Sequence, residues 1–219
     1  MREISDLDSS GAESPAAFSG KVPSQPPSRK GRRHSDVRSR EYLTPREVDR
    51  LERAARRLGR HGHRDRTLIL LMYRHALRVG EVVALRWDAV DFDTGRLAVA
   101  RLKNGVPSTH PLRGPELRAL RELKRAYPEC PYLFVAEPTA RGAPMTADGV
   151  RKIVARAGCE AGLPFPVHPH MLRHALGFKL ANDGQDTRAI QHYMGHRSIA
   201  HTVRYTELSP DRFKTFFRD

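Results

Sequence analysis

Cysteine is scarce in this chain. Its two residues, Cys130 and Cys159, stand 29 positions apart without the paired spacing of a thiolate metal site. That excludes a disulfide framework and fits reduced thiols in the cytoplasm. No apolar run reaches 18 residues, which excludes a membrane-spanning helix. The opening residues Met1 to Asp8 hold no apolar signal core, which argues against secretion. Acidic residues are also in deficit, 25 Asp and Glu against 39 Lys and Arg, leaving a net charge of +14. Residues 1–38 carry 7 basic and 5 acidic groups, so nearly all the excess belongs to residues 39–219. A folded unit with such a field attracts polyanions, of which nucleic acid is the commonest in cells. A basic surface kept for solubility is the plainer alternative.

The length of 219 residues and a hydrophobic share of 39% suit one globular domain with a tail. Residues 1–38 are rich in Ser, Pro and Gly and poor in large apolar side chains, and are expected to be a disordered tail. Its Ser28–His34 stretch is a basic cluster able to touch phosphates or to serve as a solvated linker. In residues 39–219, Thr44-Pro45-Arg46-Glu47 is a capping box, and Val48, Leu51, Ala55 and Leu58 keep helical spacing up to Gly59. Arg66 to Arg74 encloses Leu68 to Met72, apolar nearly all round, and predicts a buried helix. A short helix is expected over Glu81 to Trp87. Arg96 to Arg101 then alternates, and Val106 to Leu112 returns as its partner. Asn104-Gly105 between them is a tight-hairpin signal, which puts Lys103 at a hairpin tip.

Helices resume from Pro115 to Pro128, Ala147 to Ala157, His170 to Leu180, Asp186 to Gly195 and from Ser198, with Leu133 to Val135 as a short extended piece. A last helix from Ser209 carries Phe213, Phe216 and Phe217 on one face, and is too short to stand alone. The expected class is mainly α (α+β), with a small antiparallel sheet.

Three islands could carry chemistry. His170, Arg173 and His174 lie at i, i+3 and i+4 of one helix, where a guanidinium fork and imidazole donors can grip a phosphate. A basic surface helix is the alternative. Gly195-His196 puts a histidine in a helix-ending turn ahead of a helix bearing Tyr205. A phenol is a poor nucleophile at neutral pH unless cations surround it, and a lone tyrosine is usually a packed aromatic. Arg78, beside Gly80 and Glu81, needs an anion or a carboxylate, and a structural pair with Glu81 would supply one. Eleven histidines invite a metal, but neither i, i+4 pair (His170/His174, His192/His196) carries the glutamate of the metalloprotease pattern.

Taken together, these islands resemble the tyrosine recombinase (phage integrase) family. Ala76-Leu77-Arg78-Val-Gly-Glu81 is similar to its first-arginine motif, His170-Met-Leu-Arg173-His174 to its H-x-x-R motif, and Gly195-His196 followed by Tyr205 to its histidine and nucleophile motif. Lys103 lies between the first two islands, where the family keeps a catalytic lysine. The resemblance runs from about residue 41 to 217. Tyr73-Arg-His75, Arg101-Leu-Lys-Asn-Gly105, Thr109-His-Pro-Leu112, His168-Pro-His-Met-Leu-Arg-His174 and His201-Thr-Val-Arg-Tyr-Thr206 look most like the fimbrial phase-variation recombinases, which invert a promoter segment.

The resemblance implies that Tyr205 attacks a scissile phosphate of double-stranded DNA at a specific recombination site. Arg78, Arg173 and His196 serve the phosphate, His170 hydrogen-bonds it or takes the tyrosine proton, Lys103 protonates the leaving oxygen, and Glu81 and His174 support them. It implies no cofactor and no metal, because the phosphotyrosine conserves the bond energy. It also implies self-association to a tetramer on DNA, accessory DNA-bending proteins and no membrane. Most of the family adds an N-terminal helical clamp, and here only a polar tail precedes the catalytic domain. DNA binding is therefore expected to lean on neighbouring protomers. Competing readings are a type IB topoisomerase, with the same chemistry but resealing the original ends, and a helix-turn-helix regulator built on Asp186 to Tyr205.

Overall fold

The structure is a computed structural model that describes residues 41–102, 105–136 and 142–207. The tail over 1–38, Lys103 at the expected hairpin tip and the final Phe-bearing helix all lie outside the described residues.

Helix α1, Pro45–Arg57, starts as the capping box requires. The Thr44 hydroxyl accepts from the Glu47 N–H at 3.3 Å, and the Glu47 carboxylate accepts from the Thr44 N–H at 2.8 Å. Helix α2, Gly62–Arg74, buries Leu68 to Met72 as expected, but begins four residues before Arg66. Apolar periodicity misses that first turn because it is polar, buried and paired. Arg64 sits 2.8 Å from the Asp65 carboxylate and donates to the carbonyls of Val135 and Ala136, both at 2.9 Å.

Helix α3 spans Val79–Val83 rather than Glu81 to Trp87, and a 3-10 turn covers Trp87–Ala89. The boundary moves because Glu81 is itself a cap: its carboxylate accepts from the Arg78 backbone N–H at 2.9 Å.

The sheet has three antiparallel strands in the order β1 (Val90–Asp91), β2 (Arg96–Val99) and β3 (Ser108–Pro111). β1 goes beyond the sequence expectation. Its turn to β2 is made by the Asp91 carboxylate, which accepts from the Asp93 and Thr94 N–H groups, and by Gly95 at φ +63°. β2 and β3 pair as the expected hairpin, and its turn at Asn104 lies outside the described residues. Pairing ends at Val99 opposite Ser108, short of the expected Arg101 and Val106. Arg101 leaves the ladder because its buried guanidinium is drawn to acceptors outside the sheet.

Helices α4 (Gly114–Ala126), α5 (Ala147–Glu160), α6 (Pro169–Asn182), α7 (Thr187–Met194) and α8 (Ala200–Glu207) complete the described fold. Asp186 caps α7 through the Arg188 and Ala189 N–H groups, and Gly195 at φ +65° ends it. The Leu133 to Val135 piece is buried but bends at Leu133 and Phe134, with isolated bridges at Tyr132 and Val135 in place of a strand. α2 packs on α1, α4 and α6, and α6 packs on α7 and α8, so the α2–α6 pair is the centre on which the remaining helices rest. The islands holding Arg78, Arg173 and Tyr205 all leave from that centre. Both cysteines are free thiols. Among the described residues, no helix is long and apolar enough to cross a membrane.

Candidate active site

Arg78 is the N-cap of α3, where the chain turns out of α2. Its guanidinium donates to Glu81 Oε1 at 2.7 Å. The same carboxylate accepts from Arg101 Nη1 at 3.0 Å and from the Leu102 N–H at 3.2 Å. Burial pushes the Glu81 carboxyl up, but the Arg78 N–H, the Arg78 guanidinium and Arg101 outweigh it and hold the group below the ordinary carboxylate range. The Arg78–Glu81 pair thus forms without sealing the arginine. Arg78 keeps a quarter of its side chain exposed (24%) while Glu81 is sealed beneath it.

Sequence patterning places Arg101 at a strand end and in a stretch like the fimbrial recombinases, but not in the site. Its side chain is fully buried, and besides Glu81 it donates to the carbonyls of Ala76 (3.3 Å), His75 (3.1 Å) and Tyr193 (2.6 Å). It ties the β2–β3 connection to the end of α2 and to α7. The one legible signal was an arginine at the end of an alternating strand, which marks a solvated edge as readily as a buried pair.

On α6 the three polar residues part company. His170 is exposed, His174 is half-buried and Arg173 is 3% exposed. Arg173 donates to the carbonyls of Ala76 and, at 2.7 Å, of Met194, joining the α2–α3 turn to the end of α7. Burial, followed by the positive charges of Arg78 and Arg101, pushes its pKa down to about 10. Three guanidiniums therefore crowd one region with a single buried carboxylate between them, an arrangement ready for an added anion.

Ala76 supplies a carbonyl to two of these arginines from a left-handed conformation, φ +50°. For a residue with a Cβ that conformation costs about 1–2 kcal/mol. Ala76→Gly should therefore hold or slightly raise stability, since the relief exceeds the about 0.5–1 kcal/mol by which glycine's freedom favours the unfolded chain. Ala76→Val should destabilise by about 2 kcal/mol or more, β-branching being poorly tolerated there. Urea midpoints of the two variants check this, and a large loss in the glycine variant would refute it.

His196 follows the α7-ending glycine, 9% exposed, with Nδ1 2.8 Å from the Thr202 hydroxyl. Gln191 fixes its turn by donating to the carbonyls of His196 and Arg197 at 3.1 and 3.3 Å. Burial first, and Arg173 and Arg78 next, push its pKa down to about 3, so the ring is neutral at physiological pH. Tyr205 on α8 is 1% exposed, with its ring 6.3 Å from the His196 ring and its hydroxyl 2.8 Å from His174 Nδ1. Burial raises its pKa against the pull of Arg173, Arg204 and Arg78.

An open cavity of about 520 Å³ lies in front of these groups, lined by Arg78, Gly105, Gly195, His196, Arg197, Ser198 and His201. It is basic and lacks carboxylates, which suits a phosphate. Both glycines serve close approach. A Cβ on either would come within 2.7 Å of the Arg101 side chain. The structure thus brings Arg78, Arg173, His196 and Tyr205 together around Glu81 and Arg101, with His174 against Tyr205. Gly105, two residues after Lys103, lines the cavity, while Lys103 itself lies outside the described residues. A second buried chain also escaped the sequence: Glu116 lies 2.8 Å from His75 Nε2, His75 Nδ1 3.1 Å from His110 Nδ1, and His110 Nε2 2.8 Å from the Ser108 hydroxyl. It braces the residue whose carbonyl holds Arg101.

A mainly helical domain with a three-stranded sheet, an arginine pair, a histidine and a buried tyrosine around a basic cavity defines the class of a tyrosine recombinase catalytic domain. The phage integrase family model matches residues 41–212, and the chain belongs to that family. It is a site-specific DNA recombinase. The type 1 fimbriae regulatory protein FimE of Escherichia coli K12 is 42% identical over 180 residues, covering 80% of this chain and 89% of FimE. FimB of the same strain is 39% identical over 184 residues, covering 82% of this chain and 90% of FimB. Among solved structures, the crystal structure of XerA recombinase matches with a TM-score of 0.68 at 26% identity, covering 80% of this chain and 63% of that one.

Proposed function

We propose that the chain recombines paired duplex sites as a tetramer on DNA, through a 3′-phosphotyrosyl intermediate made by Tyr205, with inversion of a DNA segment as its outcome. The observation that carries the chemistry is the basic cavity lined by Arg78 and His196, with the buried Tyr205 ring 6.3 Å from the His196 ring. In this reading, Arg78 and Arg173 hold the non-bridging oxygens, where charge builds in the transition state. His196 donates to one of those oxygens and His170 hydrogen-bonds the phosphate. The 5′-hydroxyl released by cleavage is later replaced by that of a partner strand. The inversion outcome is supported by the likeness to two fimbriae regulatory proteins. A helix-turn-helix regulator gives no reason for Arg78, Arg101 and Arg173, from three parts of the chain, to meet at Glu81 and the Ala76 carbonyl.

The test begins with a pool of nicked duplexes of randomised core sequence, from which covalent capture selects the cleaved site. Two marked duplexes carrying that site should then exchange strands. Supercoil relaxation with no recombinant product would favour the topoisomerase reading instead.

Lys103 has a separate test. Its proposed role is to protonate the leaving 5′-oxygen. Lys103→Ala should slow cleavage about 10²–10⁴-fold on normal DNA, and a 5′-bridging phosphorothiolate, whose sulfur leaves without a proton, should restore most of the rate. Equal defects on both substrates would reduce Lys103 to a phosphate contact.

A further inference from the structure

The proton on the nucleophile needs an acceptor, and two histidines one turn apart on α6 compete for that role. We propose that His174, rather than His170, takes the Tyr205 proton, an assignment that rests on Tyr205 being the nucleophile.

Three features build the contact. His174 Nδ1 lies 2.8 Å from the Tyr205 hydroxyl, within reach for direct transfer. The tyrosine ring lies on the α6 backbone at Gly177, where a Cβ would be 2.7 Å from ring carbon Cζ. Phe178 closes the side of the ring edge-on, with centroids 5.1 Å apart. His174, Gly177 and Phe178 thus form a cradle on one helix that sets the hydroxyl against one imidazole nitrogen. Any side chain at position 177 would push the ring off it.

The groups facing His174 set its charge. On α6 these are His170, with ring centroids 6.1 Å away, and Arg173. On α8 they are Arg204 and Tyr205. Ahead of α1 stands Glu41, whose carboxylate pairs with Arg204 at 2.8 Å. Burial first, then Arg204 and His170, push the His174 pKa down to about 4. The ring is therefore neutral at physiological pH, with a lone pair free to accept at Nδ1 when Nε2 carries the proton. A DNA phosphate in the neighbouring cavity adds negative charge, which offsets those cations and favours the imidazolium at the moment it forms.

The step balances. The Tyr205 O–H proton passes to His174 Nδ1, the Oη–P bond forms, and the P–O5′ bond breaks with its oxygen protonated by Lys103. On rejoining, the incoming 5′-hydroxyl loses its proton to Lys103 as its oxygen forms the new P–O5′ bond, the Oη–P bond breaks, and the imidazolium returns its proton to the phenol.

The experiment measures single-turnover adduct formation on the selected nicked duplex from pH 5 to pH 10, with thermal melting and gel shift recorded for each protein. His174→Asn places an amide where Nδ1 stood. It can hold the hydroxyl but cannot take its proton. The wild-type rate should be flat above about pH 5, while His174→Asn should be about 10²–10⁴-fold slower near neutrality and climb tenfold per pH unit as the phenol ionises by itself. His174→Ala should behave the same way. A His174→Asn rate equal to wild type, or a slow rate with a flat profile, overturns the proposal, because geometry alone would then account for the contact. Faster adduct formation by His174→Ala also overturns it, since the contact would then be a restraint. Failure of the nucleophile reading looks different: wild type forms no adduct, or Tyr205→Phe forms one.

Discussion

Tyr205→Phe should form no covalent adduct with a nicked duplex, and yet fold and bind DNA as the parent does. The change removes one oxygen from a ring that α6 already holds. The ring's contacts to Gly177 and Phe178 and its approach to His196 all survive in phenylalanine. The lost hydrogen bond leaves His174 Nδ1 without this partner, and His174 is half-buried, so water can compensate in part. The stability cost should be about 1 kcal/mol. Catalysis has no such compensation in the proposed mechanism, where the Tyr205 oxygen is the atom that bonds to phosphorus. A gel that separates protein–DNA adduct from free DNA after denaturation reads the result. An adduct that persists in the variant would move the nucleophile elsewhere and undo the site described here.

Glu81→Gln should be the most damaging single change to the fold among the site residues. One carboxylate accepts from two guanidiniums and two backbone N–H groups, and the Arg101 side chain has no exposure to water. An amide carries no charge and turns a donor toward a guanidinium. Breaking a buried pair by removing one partner costs about 3–5 kcal/mol, because the remaining charge stays buried. Urea unfolding should show that loss, and adduct formation should fall with it as Arg78 loses its anchor.

The same carboxylate gives stability a pH dependence. Its folded pKa lies below its unfolded value, so its contribution is full above the unfolded pKa and is lost as pH falls through the folded one. Wild type should therefore lose stability from mildly acidic pH downward, and Glu81→Gln should lack that part of the slope. Parallel pH slopes in the two proteins would show that Glu81 is not held as described.

Much of the fold was legible in the chain because its signals are local. Thr44 and Glu47 cap α1 within four residues of each other, Asp186 and Gly195 bracket α7, and Leu68 to Met72 announce a helix buried on all sides. Where reading failed, a polar residue had an unforeseen partner. The first turn of α2 is polar because Arg64 and Asp65 are buried together, and strand β2 ends before Arg101 because that side chain is drawn to Glu81. Periodicity treats a charge as a mark of solvent and cannot register one neutralised inside.

The sequence alone determined which residues are candidates for the chemistry, since arginine, histidine and tyrosine at fixed spacing on helices are properties of the chain. It also determined that Glu81 sits next to Arg78, three positions away on one turn. The tertiary structure decided what each buried charge leans on. Arg173 donates to Ala76, 97 positions distant, and Arg101 to Tyr193, 92 positions distant. It also decided that Tyr205 rests on Gly177 beside His174, 31 positions away. The physical reason is that a guanidinium taken out of water accepts whichever oxygens packing brings within reach. A carbonyl becomes such a partner only through the backbone that aims it, as the left-handed Ala76 does, and no pattern of side chains along the chain records that direction.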